Sequence, residues 1–569
     1  MLEAVHNARQ QQSQNAELIA RLQVSEAQIR QLREENQTLK PLVEQLKGEA
    51  TRYCERATLL EEEVRWLKAQ MFGRSAEPRA AELSPDQQRL FNEAEVLAAI
   101  EAAEAAHAAR TTPVAAHERP HTGGRKAIPK HFPRQEILHE LAANEQICPH
   151  DGTRLERFGE EVSERYGYQR PKIWVERHVR GQYSCPSCRE GVKIAPLPPH
   201  ILPKSMASPS LLAHLIANKF VDGIPLYRTC GQLERLGLEL SPGTVGTWIN
   251  TVGDQVTPLV ALMHEELLSA PFIHMDETYL QVLRSHKAPT TTHFLVVRAA
   301  GPPGRRIVLF NYEASRTVEA LKNLLIGPNG PYRGKLLTDG LELYDSVTEA
   351  LGILHFGCLV HARRYFDKAA KVSELPSGRS LARTAMLDHL QPVFRIERRI
   401  NALREQCEKG SLPPPLAEIL KIRQTESAPR MAAFKHWVDQ LLPGVPPKSA
   451  LGKALSYTTH QWTKISRFLD HPEMPAENNY AENQVRPFAV GRRSWLFCHS
   501  AVGATASANL FSLVMSCRAN DLEPYAYLCY LMEEFPKATT AEQLEALLPW
   551  NAKTAIAAAT VAARTELAA

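Results

Sequence analysis

FIHMDETYLQVL (272–283) and KLLTDGLELY (335–344) decide how this chain folds, because each carries a β-rich apolar run directly into an aspartate. Around them the periodicity is that of a sheet. THFLVVRAA (292–300) and RRIVLFNYEA (305–314) are further β-rich runs bounded by turn residues. A helical stretch, TVEALKNLLIG (317–327), precedes the second aspartate, and GILHFGCLVHARRYFDKAA (352–370) passes from strand to helix. Three strands, a helix, a fourth strand and further alternation predict a mixed α/β sheet. Residues 371–470 read as helical and interrupt that sheet, with breaks at SLPPPL (411–416) and LPGVPPK (442–448).

The aspartates are Asp276 and Asp339. A carboxylate between buried apolar residues is costly unless it is paired, hydrogen-bonded or bound to metal. On adjacent strands the two can share divalent ions, and Mg²⁺ is satisfied by a few carboxylate oxygens plus water and phosphate. Two such ions about 3.5–4 Å apart suit phosphoryl transfer. A third acid is expected from a helix after the sheet, and Glu482 in NNYAENQVRP (478–487) is the best placed. Glu477 lies five residues earlier, roughly 140° round an ideal helix, and does not share its face. Glu277, Glu342 and Asp345 are close enough to compete for a ligand role. Singly, a strand-end Asp reads as a turn residue or cap and Glu482 as a solvated helix acid. The ordered set Asp, Asp, Glu, spaced by 63 and 143 residues, carries the signal. Arg486, Arg492 and Arg493 with Trp495 follow, a combination of phosphate-directed cations and an aromatic platform suited to a nucleic-acid strand.

With 569 residues the chain is too long for one core. A net charge of +4, from 67 basic and 63 acidic residues, does not by itself argue for nucleic acid, so any such face must come from local clustering. Ten cysteines are too sparse for a disulfide scaffold and suit a reducing compartment. The polar, Gln-rich N-terminus lacks a signal-peptide core, and no apolar run is long enough to span a bilayer, so a soluble cytoplasmic protein with no membrane partner is expected.

Residues 18–71 hold a heptad pattern, with one seam through Leu22, Ile29, Asn36, Val43, Ala50, Ala57, Val64 and Met71. The other runs through Leu18, Ser25, Leu32, Leu39, Leu46, Tyr53, Leu60 and Leu67. This is a coiled-coil pattern; Asn36 suits a parallel dimer, and Pro41 predicts a kink or break. A helix near 86–110 and a linker at 111–126 follow. CPHDGTRL (148–155), a β-like stretch at 166–184 and CPSC (185–188) predict two knuckles separated by a hairpin. Cys185 and Cys188 form a good knuckle, whereas Asp151 stands where Cys148 needs a second cysteine; His150 or Asp151 can be the fourth ligand. Zinc and a relic knuckle both remain open. Helical patterns at LLAHLIANKFVDG (211–223), YRTCGQLERLG (227–237) and SPGTVGTWINTVGDQV (241–256) suggest a helix-turn-helix. Its second helix would present Thr244, Thr247, Trp248 and Asn250 to DNA, and plain structural packing is the competing reading.

The sequence resembles the insertion-sequence-66 family of bacterial transposases nearly end to end. The matching stretches are MFGRSAE (71–77), CPHDG and CPSC, LPKSMASPSLLAHLIANKFVDGIPLYR (202–228), HMDETY, LLTDG, HFGCLVHARRYF (355–366), NNYAENQVRPFAVGRRSWLF (478–497), and EPYAYL with LLPWN (523–551). Asp151 departs from the family's usual cysteine. The resemblance implies a multidomain α/β protein with a ribonuclease-H-like core and a helical insertion. Its expected parts are a coiled coil (1–75), a helical segment and linker (76–126), a zinc-finger-like segment (127–200) and a helix-turn-helix (201–265). A catalytic domain (266–500) with an insertion at about 371–470 and a helical tail (501–569) complete it. By motif, Asp276, Asp339 and Glu482 would be the catalytic triad holding Mg²⁺ or Mn²⁺, with Cys148, Asp151, Cys185 and Cys188 as zinc ligands.

The activity implied is cleavage of transposon ends and their joining to target DNA. His361, Arg363 and Arg364 lie between the second and third acids, and Arg363 and Arg364 can contact phosphates or simply pack. DNA, a homodimer or higher homo-oligomer, and small accessory proteins are the implied partners, in a nucleoid-associated bacterial setting. A non-catalytic DNA-binding regulator, or a nuclease or resolvase on the same fold, are the alternatives. Zinc analysis of purified protein, with Cys185→Ser as the control, separates the two knuckle readings: one equivalent lost in the variant establishes zinc, and less than one in the wild type establishes the relic.

Overall fold

The computed structural model describes residues 171–184, 192–284, 292–302, 304–372, 380–410 and 412–558, with isolated residues before them. All but a few isolated residues of the expected coiled coil of 18–71, the helix near 86–110 and the ligand set Cys148, Asp151, Cys185 and Cys188 lie outside the described residues. Residues 198–226 and 242–558 belong to one unit; 227–241 and the described part of 84–197 belong to another.

In the smaller unit, strands Gln182–Ser184 and Val192–Ile194 pair antiparallel, with Tyr183 opposite Lys193, so the pairing straddles the second knuckle. This corrects the expected hairpin within 166–184, because 171–180 hold no strand. Trp174 and Val175 are 65 % and 90 % exposed, but so largely are Tyr183 and Val192 in the strands that do pair, so exposure does not explain which stretch forms the ladder.

The larger unit opens with helices α1 (Pro209–Phe220), α2 (Pro242–Gln255) and α3 (Thr257–Leu268). Ser208 caps α1 through its hydroxyl, and Pro209 takes the first turn, where its missing N–H costs nothing. Strands β1 (Phe272–Arg284), β2 (Thr292–Ala300) and β3 (Ile307–Glu313) then form an antiparallel meander. Helix α4 (Val318–Asn323) crosses to β4 (Lys335–Thr338), and α5 (Glu342–Leu351) crosses to β5 (Leu354–Gly357). Both new strands run parallel to β1, which requires such crossovers. The sheet order is β3-β2-β1-β4-β5. Val296, Val297, Val308, Leu309 and Phe310 are all at most 1 % exposed, so these strands read as unbroken apolar runs with both faces covered. A left-handed Gly352 ends α5 and turns the chain into β5, a conformation glycine adopts without a Cβ penalty.

After α6 (Leu359–Val372) most of the described residues of the expected insertion are helical, including α7 (Gln391–Lys409), α8 (Ala428–Leu441) and α9 (Ala450–Ser466). Their core joins Phe366 of α6 to Phe434, Val438 and Leu455. Helix α10 (Asn479–Trp495), strand β6 (Cys498–Ser500) and helix α11 (Ala501–Ala519) return the chain to the sheet. Short β6 runs parallel to the far end of β1, with Cys498 opposite Val282. Helix α11 lies along edge strand β3, where Ser516 Oγ accepts from Val308 N at 2.9 Å and Ser512 Oγ from Phe310 N at 2.8 Å. These hydroxyls satisfy backbone groups that an edge strand would otherwise present unpaired. Among the described residues no helix is long and apolar enough to cross a membrane.

One buried ion pair anchors the insertion. Arg423, fully buried, forms a bidentate pair with Glu397 at 2.9 and 2.6 Å. It also donates to the carbonyls of Phe468, His471 and Met474. Removing only the cation leaves a buried carboxylate unpaired, so Arg423→Met should cost about 3–5 kcal/mol in denaturant unfolding. Adding Glu397→Leu should recover most of that loss; a single variant as stable as wild type would contradict the anchor.

Candidate active site

Register places the two aspartates together. His274 of β1 pairs with Leu337 of β4 on parallel strands. Asp276 and Asp339 stand two residues beyond that pair, which puts both on the same face at the same level. Asp339 follows the last residue of β4, where the carboxyl ends of parallel strands open a crevice. Its Oδ1 accepts from Leu341 N at 3.1 Å at the turn into α5. Asp276 Oδ1 accepts from Glu277 N at 2.8 Å.

Glu482 arrives in the first turn of α10, a helix fastened to β1 at both ends. At the near end Asn478, fully buried, meets His274 Nδ1 through Oδ1 at 2.9 Å and donates Nδ2 to the Met275 carbonyl at 2.9 Å. Its backbone N–H donates to Cys358 Sγ at 3.1 Å. Since the amide oxygen only accepts, His274 Nδ1 carries the hydrogen. Burial pulls the His274 pKa down to about 4 against the opposing hydrogen bond, so the ring is neutral. At the far end Arg492 donates to Thr278 Oγ1 at 3.2 Å and to the Tyr279 carbonyl.

The electrostatics register the convergence. Burial, then the charges of Glu482 and Asp339, push the Asp276 carboxyl well above its ordinary range, while Arg364 and Arg316 pull the other way. Arg364 pairs with Glu482 Oε2, and Glu482 Oε1 is buried with no hydrogen-bond partner. The carboxylates are near enough for their charges to act on one another, although among the described residues the three donors whose ligand atoms all lie within 4.8 Å are Cys358, His361 and Glu482 rather than the three acids. The competing acids are engaged elsewhere. Glu277 pairs with Arg316 and lies 3.5 Å from the Tyr344 hydroxyl. Burial would raise Asp345, but hydrogen bonds from Lys464 and His355 outweigh it and hold that carboxyl low. Glu342 lines a separate cavity with Gly340, Tyr457 and Lys464. Glu477 precedes α10, and burial, with the charges of Glu482 and Glu397, pushes it up to about 7.

The expected DNA-facing residues divide. Arg486 and Arg493 lie 4 and 11 residues after Glu482 on one helix, and so share its face. Arg492 is turned about 80° away and is only 8 % exposed. Its expected place on DNA is therefore corrected: the guanidinium is a strut between α10 and β1. Trp495 is partly buried, edge-to-face with Phe488 at 5.3 Å, so it is not an open platform. Arg364 points into the acid cluster rather than outward, and Arg363 lies over the Phe394 ring at 5.4 Å. On α2, Thr244 and Thr247 are exposed, and Trp248 and Asn250 are partly buried. The opposite side of α2 meets α11, where Asn509 donates to the Gly253 carbonyl at 2.8 Å. A Cβ on Gly253 would come within 2.6 Å of the Ala506 carbonyl, so only glycine allows this approach.

Asn478, His274 and Cys358 were not legible as site residues. An asparagine before a helix signals a cap, but Asn478 makes no capping bond and spends its amide on β1.

Comparison with known proteins fits this frame. Residues 204–506 match the family described as Transposase IS66 family. The chain belongs to that family. Residues 512–550 match the IS66 C-terminal element, and 145–189 match the zinc-finger binding domain of transposase IS66. Residues 59–137 match a segment described as Transposase C of IS166 homeodomain. Two proteins of Sinorhizobium fredii (strain NBRC 101917 / NGR234) are similar along most of their length. Uncharacterized protein y4jD is 29 % identical over 468 residues, covering 78 % of this chain and 87 % of that one. Uncharacterized protein y4hP is 27 % identical over 511 residues, covering 88 % and 89 %. This IS66-family chain is thus multidomain, with a zinc-finger-type segment ahead of a mixed α/β core.

The raised Asp276 carboxyl has a stability signature. Its protonated form is favoured in the fold, so that contribution is complete below about pH 4 and is lost as pH rises through the folded value. In chelator, Asp276→Asn should match wild type near pH 4 and become the more stable protein as pH rises to 8. Unfolding curves across that range check this; a constant difference would show that the fold does not raise this carboxyl.

Proposed function

We propose that this IS66-family protein is a DDE-type transposase, with Asp276, Asp339 and Glu482 as the catalytic acids of a ribonuclease-H-like core. What supports the reading is that Asp276 lies two residues past His274 on β1 and Asp339 two residues past its partner Leu337, just beyond the end of β4, with Glu482 on a helix bonded to β1 and its charge felt at Asp276. An antiparallel meander followed by two parallel crossover strands, in the order β3-β2-β1-β4-β5, supports the fold assignment.

Divalent cations held by the three carboxylates would supply activation of an attacking oxygen and stabilisation of the leaving one. The chain's own residues do the rest. Asn478 and Arg492 hold Glu482 in place, and Arg364 balances its charge. Arg486 and Arg493, in line with Glu482, suit the phosphates of a strand entering the crevice. Thr244 and Thr247 on the outer side of α2 suit contact with the element's ends, and the 145–189 segment would hold zinc. Cleavage at an element end frees a 3′-hydroxyl, which attacks target DNA in line without a covalent enzyme intermediate. Two ends must be brought together, which calls for more than one protomer.

A cleavage and strand-joining assay on DNA carrying the element's own ends tests the reading. With Mg²⁺ or Mn²⁺ the wild type should nick at the ends and join them to target, and Asp339→Asn should fall to background with folding and DNA binding retained. Undiminished activity in the variant would refute the triad. Cutting without joining would instead identify a nuclease.

A further inference from the structure

The acid cluster borders a second donor set of different chemistry. Cys358 follows the last residue of β5, and Thr338 pairs with Gly357, so Cys358 stands beside Asp339 at the same strand level. One helical turn later on α6 is His361. A ligand atom from each of Cys358, His361 and Glu482 falls within 4.8 Å of the others. His361 Nδ1 lies 3.7 Å from Glu482 Oε1. That oxygen belongs to a residue only 6 % exposed and has no hydrogen-bond partner, so it is a buried acceptor aimed into the group.

We propose that Cys358, His361 and Glu482 form a binding position for a thiophilic divalent cation such as Zn²⁺, separate from but sharing Glu482 with the proposed Mg²⁺ cluster. Sulfur, imidazole nitrogen and one carboxylate oxygen are the ligand types zinc takes, and a water or an oxygen of Asp339 completes four. Mg²⁺ does not favour sulfur, so the two sites select different metals. Binding releases the Cys358 thiol proton to solvent and turns the sulfur into a thiolate ligand, with no redox change. Arg364 donates to His361 Nε2 at 2.8 Å and pairs with Glu482, so it must swing aside when the cation enters. Because both sites draw on one carboxylate, occupancy here withdraws Glu482 from the Mg²⁺ set. A soft cation then acts as an inhibitor of the carboxylate centre. The binding claim stands on the three donors and does not depend on the transposase reading.

Cobalt(II) is the probe, since its bond to thiolate gives a charge-transfer absorption that oxygen ligands do not. The metal-free full chain is titrated as wild type, Cys358→Ser and His361→Gln. Cys148, Cys185 and Cys188 are common to all three, so difference spectra isolate Cys358. Cys358→Ser should lose one equivalent of thiolate-bound cobalt, and His361→Gln should weaken that equivalent about tenfold or more, with circular dichroism unchanged. Superimposable titrations of wild type and Cys358→Ser would overturn the site. If Cys358→Ser does not fold, the His361→Gln titration decides, and identity with wild type overturns it. Loss of DNA cleavage activity, whatever its cause, leaves the cobalt result unaffected.

Discussion

The site depends on how one helix is fixed to one strand. Helix α10 carries the third acid, yet it follows the second by more than a hundred residues, so chain connectivity cannot position it. Asn478 does so instead, by bonding the strand that bears the first acid at the two residues just before that acid, His274 and Met275. A second tie, from Arg492 to the carbonyl of Tyr279, removes the remaining freedom to pivot. Glu482 lies between the two attachments, in the first turn of the helix. Each attachment includes a bond to a backbone carbonyl oxygen, which does not change with side-chain identity, and both Asn478 and Arg492 are buried, where an unmade hydrogen bond costs most.

The helical insertion contributes to the same end from the other side. Its Arg423 gathers the carbonyls of Phe468, His471 and Met474, and Arg404 adds Pro472 at 2.6 Å. These residues make up the segment that leads directly into Asn478. The insertion therefore holds the approach to α10 taut while Asn478 and Arg492 hold α10 itself. Buried ion pairs contribute little net stability over an apolar equivalent, but they demand one geometry. A guanidinium with five donors, fully committed, suits a segment whose path must not vary.

Much of this was legible from residues alone. β-rich runs such as FLVVRAA and IVLF marked strands, and their alternation with helical stretches and the short run before Asp339 marked a mixed α/β sheet. The acids stood out because charge at the end of a buried strand needs a reason. Less legible were the residues whose role depends on a distant partner. Arg492 and Arg493 are neighbours of identical chemistry, and only the docking of α10 makes one a strut and leaves the other outward. Asn478 reads locally as a helix cap. The 166–184 stretch has strand-like composition, but only its last three residues form a strand, and their partner lies at 192–194, beyond the stretch. Periodicity reports which side of an element is apolar, not what lies against it.

The serine-lined groove that α11 lays against β3 has a consequence for assembly. Ser512 and Ser516 occupy the hydrogen-bonding positions that another polypeptide strand would need in order to extend the sheet from that side. Copies of this chain cannot join there by continuing the sheet from one molecule into the next. A multimer must be built through other surfaces, and the margin of the α/β core nearest β3 remains a terminus rather than a seam.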